Sequence, residues 1–162
     1  LKGPVNTQSY LLELANRRQE YPGYNLLAGD LDELYYFSNR GGPLQKVEAG
    51  VHGVSNHLFN SDWPKVERGK AGLASIISEG QPDLVDRLFA HLKNADPAPD
   101  HMLPSTGVSL EWERLLSPMF IKSEGYGTRS STVILMNEKE IQFYERVHTK
   151  DQVSDKEFII RL

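Results

Sequence analysis

The 162-residue chain contains no cysteine. That removes thiol nucleophiles, disulfides and thiolate metal ligands from it together. No apolar run approaches the roughly 20 residues a membrane-spanning helix needs, and no basic stretch followed by an apolar one marks a signal peptide. The expected location on these grounds is the cytoplasm. Charge of one sign is also scarce: 18 Lys and Arg against 22 Asp and Glu leave a net charge of -4. Phosphate backbones are held by clustered cations, so a nucleic-acid partner is not expected. The five histidines, His52, His57, His91, His101 and His148, show no pair at the spacing of a helical metal site. No metal is expected from that pattern, although a single axial histidine can suffice for haem. A Gly-x-Ser-x-Gly elbow and a phosphate-binding glycine loop are both missing, and no cofactor is called for.

What is present describes a globular chain. Hydrophobic residues make up 39% and charged residues 25%, and a chain of this length buries about two-thirds of its unfolded surface. Asn6 is placed to cap a helix whose apolar positions are Tyr10, Leu11, Leu14 and Ala15, with Tyr21-Pro22-Gly23 as its stop. "YNLLAGD" and "ELYYFSN", separated by Asp30-Leu31-Asp32, read as a hairpin; "LQKVEAG" and "VHGVSN" read as third and fourth extended pieces. Ser61 or Asp62 then caps a helix with Pro64 in its first turn, Val66, Leu73, Ile76 and Ile77 on its apolar face and Gly80 at its end. A second helix is expected over "PDLVDRLFAHLKN" and an irregular stretch, either a functional loop or a surface excursion, from Ala95 to Phe120. "STVILMN", "EIQFYERVH" and "KEFIIRL" close the chain as strands, the first two joined around Glu138-Lys139. Strands, two helices and strands again predict an α+β fold with mostly antiparallel sheets.

Two polar positions stand at expected strand ends. Asn56 follows Val51 and Val54; its amide N–H groups suit an oxyanion, while asparagine is equally a turn-shaping residue. Arg129 precedes "STVILM" and follows Gly125 and Gly127. A guanidinium there either orients a carboxylate by paired hydrogen bonds or joins a surface ion pair.

Taken in order, "YNLLAGD", "HGVSNHLFNSDWPKV" and "YGTRSSTVIL" resemble the NRDE family, which includes the transport-and-Golgi-organisation proteins. A more distant similarity joins "VSNHLFNSDW" to bile salt hydrolases and penicillin V acylases, which are N-terminal nucleophile hydrolases. The resemblance implies a four-layer αββα sandwich and an amidohydrolase or acyl hydrolase acting on a small amide or acyl substrate. Asn56 and Arg129 would then be catalytic, with Asn25, Ser55 and Tyr126, from the same three stretches, binding substrate. The nucleophile in those enzymes is an N-terminal cysteine whose own amine serves as base. Neither that cysteine nor an Asn-Arg-Asp-Glu motif occurs here, and the sequence opens Leu1-Lys2-Gly3-Pro4. Residues 1–162 are therefore expected to be a single domain, the C-terminal part of such a protein, inactive without the preceding segment. Its uncovered sheet edges would meet that segment, a second chain or a homo-oligomer contact. The resemblance also carries an alternative, a non-enzymatic haem- or lipid-related binding or trafficking protein.

Overall fold

The computed structural model describes residues 6–149 and 152–162; the start at Leu1-Lys2-Gly3-Pro4 lies outside them. The chain is α+β, and the described residues form four helices, two short 3-10 turns and two three-stranded antiparallel sheets. It divides into two compact units, Leu1–Ser61 and Asp62–Leu162.

In the first unit, helix α1 (Thr7–Asn16) begins where Asn6 Oδ1 accepts the Ser9 amide at 2.8 Å, satisfying one of the free N–H groups of the first turn. The helix ends before Tyr21-Pro22-Gly23: the Arg17 amide turns back to Leu14, and a 3-10 turn covers Arg18–Glu20. Leu11 is fully buried, whereas Tyr10, expected on the same face, is exposed. Strands β1 (Asn25–Gly29) and β2 (Leu34–Ser38) form the expected hairpin. Its turn is shaped by Asp30, whose Oδ1 accepts the amides of Asp32 and Glu33 at 3.0 Å each. Tyr35 and Phe37 project toward α1 and pack on Leu11, with Tyr24, Leu26 and Ala28 around them. Strand β3 is only Gln45–Lys46, paired to Tyr36 and Tyr35.

The expected fourth strand, "VHGVSN", does not form; residues 51–60 make a loop instead. The physical reason is that its backbone groups bond within the loop and to a side chain rather than to a ladder. The Asn60 amide donates to Gly53 O at 2.7 Å, the Gly53 amide donates to Asn60 Oδ1 at 3.0 Å, and the Ser55 and His57 carbonyls accept from the Asn25 side chain. Alternating apolar residues therefore do not make a strand when a local partner takes the hydrogen bonds first.

In the second unit, helix α2 (Pro64–Glu79) has Trp63 as its N-cap, not Ser61 or Asp62, with Pro64 in the position where its missing N–H costs nothing. Gly80 closes it in the left-handed conformation (φ 59°). Val66 and Ile76 are buried, Leu73 is half-buried, and Ile77 lies outward. Helix α3 (Leu84–Leu92) buries Phe89. Strands β4 (Ser130–Met136), β5 (Glu140–His148) and β6 (Val153–Arg161) run in that order. Asn137 Oδ1 accepts the Lys139 and Glu140 amides in the β4–β5 turn. Val133 is buried on the helix side, where the Arg146 guanidinium also lies 4.2 Å from the Phe89 ring centre. The opposite face is apolar and open: Ile134 stands beside Phe143 and Phe158, and Met136 beside Ile141 and Ile160.

The stretch from Ala95 to Phe120 is more ordered than its sequence suggests. It contains a 3-10 turn (Asp100–Met102) and a fourth helix, α4 (Leu110–Leu116), which Ser109 caps. The Phe120 amide bonds Asn94 O, Ala98 N bonds Ser117 Oγ, and Arg114 pairs with Asp100 through two hydrogen bonds. Buried Glu113 accepts from the Thr106 amide at 2.7 Å and the Thr106 hydroxyl at 2.6 Å. Those bonds hold its carboxyl below the ordinary carboxylate value. A group with a depressed folded pKa contributes stability above its unfolded pKa and loses it as pH falls through the folded one. Hydrogen-exchange protection of the Thr106 amide is therefore expected to hold at neutral pH and to disappear on acidification below the carboxylate range. Protection unchanged at acid pH would contradict the link.

Among the described residues no helix is long and apolar enough to cross a membrane.

Candidate functional site

A pocket of about 530 Å³ opens in the first unit beside the start of β1. Gly23, Tyr24 and Asn25 form one wall, and Ser38, the last residue of β2, with Arg40 beyond it, a second. The third wall is Asn56, His57 and Leu58 of the loop.

Two asparagines hold these walls in place. Asn39 accepts the Tyr24 amide at 2.8 Å and directs its own NH2 at the carbonyls of Arg18, Tyr21 and Pro22 at 3.1, 3.1 and 2.9 Å. A single side chain thus fixes the whole approach from α1 to β1. Asn25 does the same on the other side: its NH2 donates to Ser55 O at 3.2 Å and His57 O at 3.0 Å, while its Oδ1 accepts the Tyr36 hydroxyl at 2.6 Å. The Tyr36 oxygen in turn accepts the Phe59 amide at 3.2 Å, and the two rings stack with centres 4.8 Å apart. Loop carbonyls that have no strand partner are satisfied in this way.

The loop is also braced from behind. His52 stacks on Phe59 at 5.1 Å between ring centres. Its Nε2 faces Glu48 O at 2.8 Å and its Nδ1 faces the Asn60 side-chain nitrogen at 2.9 Å. A carbonyl only accepts and an amide NH2 only donates, so the two contacts match the tautomer that donates from Nε2 and accepts at Nδ1. Asn60 itself sits at φ 53°, in the left-handed region that asparagine tolerates better than most residues.

Against these engaged groups, two side chains at the pocket keep their polar atoms open. Asn56 is exposed at the bend that follows Ser55, and the Asn56 amide has no hydrogen bond among the described residues. Arg40 is exposed and has no ion pair there either; its backbone amide donates to Ser38 Oγ at 3.2 Å. The Tyr24 hydroxyl is buried without a partner among the described residues, and burial pushes its pKa up.

Of the residues singled out from sequence, Asn25 and Asn56 line this pocket; Ser55 does not, and its carbonyl accepts from the Asn25 side chain. Tyr126 and Arg129 belong to the second unit. Tyr126 lies edge-on to Trp112 at 6.0 Å, and its carbonyl accepts the Ser123 amide and hydroxyl. The Arg129 carbonyl accepts the His148 amide at 2.7 Å, which registers the entry to β4, and its guanidinium points outward without a partner among the described residues.

Sequence reasoning passed over Asn39 and Arg40. "SNRGGP" contains the turn-forming residues of an ordinary loop, and nothing in it shows that Asn39 reaches back 15 to 21 positions for its partners. Gly23 was equally silent. A Cβ there would lie 2.5 Å from Arg40 Nε, so glycine is what lets the arginine rest on the backbone.

The fold and the pocket together define an α+β protein with a preformed cleft at the edge of an antiparallel sheet. Residues 1–150 match the Transport and Golgi organisation 2 family. The human Transport and Golgi organization protein 2 homolog is 30% identical over 156 residues, covering 88% of this chain and 56% of its own length. The Bos taurus homolog is 29% identical over 160 residues, covering 90% of this chain and 58% of its own. The chain belongs to the Transport and Golgi organisation 2 family, as the three sequence stretches led one to expect. It spans somewhat more than half the length of the curated relatives it matches.

Proposed function

We propose that these residues form part of a transport-and-Golgi-organisation-type protein that binds a small haem- or lipid-related molecule at the Asn56 pocket and carries it unchanged. The observation that supports this is preorganisation. Two asparagines commit their amide NH2 groups and an acceptor each to holding the pocket walls, so little ordering remains to be done when a ligand enters. The volume also falls within the usual range for small-molecule sites.

A second reading has its own support, the open amide of Asn56 at the rim of the pocket. In that reading residues 1–162 act as one domain of an αββα N-terminal nucleophile hydrolase, joined to a preceding segment or a second chain that supplies a cysteine. Asn56 serves as the oxyanion donor, Arg129 orients the substrate, and Asn25, Ser55 and Tyr126 form the substrate site.

One experiment separates the two. Full-length protein is incubated with a panel of acyl amides and thioesters, followed by amide NMR and mass spectrometry. The transport reading expects shifts at Gly23, Asn25 and Ser55 to Leu58 with every ligand recovered intact. Continuous product release that falls about 100-fold in Asn56→Ala would replace it with the hydrolase.

A further inference from the structure

We infer that the pocket receives a singly charged organic carboxylate, held by the Arg40 guanidinium with the Asn56 amide as second donor. This rests on the reading that the pocket is the ligand site, and it names the class of ligand.

The polar groups around the pocket divide sharply into used and unused. Asn25 and Asn39 have their amides committed to backbone partners, and Ser38 Oγ both donates to Tyr24 O and accepts the Arg40 amide. What remains uncommitted, besides the buried Tyr24 hydroxyl, is the head of Arg40 and the head of Asn56. Together they offer seven N–H donors' worth of inventory, five on a guanidinium and two on an amide, against one acceptor. No aspartate or glutamate lines the pocket, so the guanidinium has no internal counter-charge there.

Position makes this cation more than an exposed arginine. Its stem lies against the backbone at Gly23, where a Cβ would come within 2.5 Å of Nε and 3.2 Å of Cγ. The Gly23 segment is in turn immobilised by the three carbonyl bonds of Asn39. A guanidinium whose stem is supported loses less freedom when it binds, and its planar fork matches the two oxygens of a carboxylate. The single charge limits the ligand. The His57 ring also lines the pocket, but no lysine or second arginine does, so a phosphate dianion would meet only one permanent positive charge. Leu58 and the Tyr24 side supply apolar wall for a hydrocarbon body.

The test is calorimetric titration of the full-length protein with octanoate, octan-1-ol and inorganic phosphate, with NMR mapping of the binding position. Octanoate is expected to bind at Gly23 and Ser55 to Leu58. Arg40→Gln is expected to weaken it about tenfold or more while leaving octan-1-ol unchanged, and Arg40→Lys to recover part of the loss. Equal affinity for octanoate and octan-1-ol, or equal affinity in Arg40→Gln, would overturn the carboxylate anchor and leave the pocket reading standing. Displacement of octanoate by phosphate at comparable concentration would also overturn it, by making the site a general anion receptor. Shifts confined to residues away from the pocket would remove both readings at once.

Discussion

Phe37→Ala is expected to cost about 3–5 kcal/mol of stability, the range for truncating a large aromatic in a core. Phe37 has no exposed surface and lies at the centre of the first unit. Its ring meets Tyr24 edge-on at 6.0 Å, carries the Arg18 guanidinium 5.5 Å from its centre, and packs with Leu11 and Tyr35. Removing it opens a cavity between α1 and the β1–β2 hairpin, and a partly collapsed cavity adds to the lost burial. Phe37→Leu should cost clearly less, because most of the volume stays. Urea unfolding checks this through a lower midpoint at unchanged slope. A loss below about 1 kcal/mol for the alanine variant would mean that the packing around Phe37 is not what holds this unit.

Asn39→Ala is expected to cost about 2–3 kcal/mol, at roughly 1 kcal/mol for each net hydrogen bond removed and more where a carbonyl stays buried. It deletes contacts to Arg18, Tyr21, Pro22 and Tyr24 together. Asn39→Asp is the sharper comparison. It keeps the acceptor for the Tyr24 amide but turns a carboxylate oxygen toward three carbonyls, so it should cost at least as much as alanine. Both variants should also release the Gly23 segment from beneath Arg40. Urea unfolding gives the stability, and hydrogen exchange at the Tyr24 amide reports the local opening. An Asn39→Asp protein as stable as the natural one would show that the amide NH2 contributes nothing.

Elements built from local signals could be read directly from the residues. Asn6 capping α1, Asp30 in the first hairpin, Pro64 and Gly80 bounding α2 and a turn at Glu138-Lys139 act over a few residues, and each stands where the pattern placed it. The family could be read too, because "YNLLAGD", "HGVSNHLFNSDWPKV" and "YGTRSSTVIL" carry it in combination. Helix α4 escaped notice since its seven residues follow a run of Pro, Asp and Gly, and its cap Ser109 looks like one more turn former. Residues 51–56 misled in the opposite direction. Their apolar alternation fits a strand, but the Asn25 side chain and Asn60 claim the hydrogen bonds a neighbouring strand would have used.

The sequence by itself determined the fold class, most element boundaries and the family, since caps, turns and periodicity act over a few residues. Only the tertiary structure decided which polar groups are spent and which remain available. Asn25 and Asn39 look like Asn56 in the sequence, yet partners 15 to 32 positions away consume their amides. Asn56 and Arg40 are left open at the pocket because no such partner reaches them among the described residues. A hydrogen bond over that separation is set by how the chain returns on itself, and that return depends on burying Leu11, Tyr35 and Phe37 together.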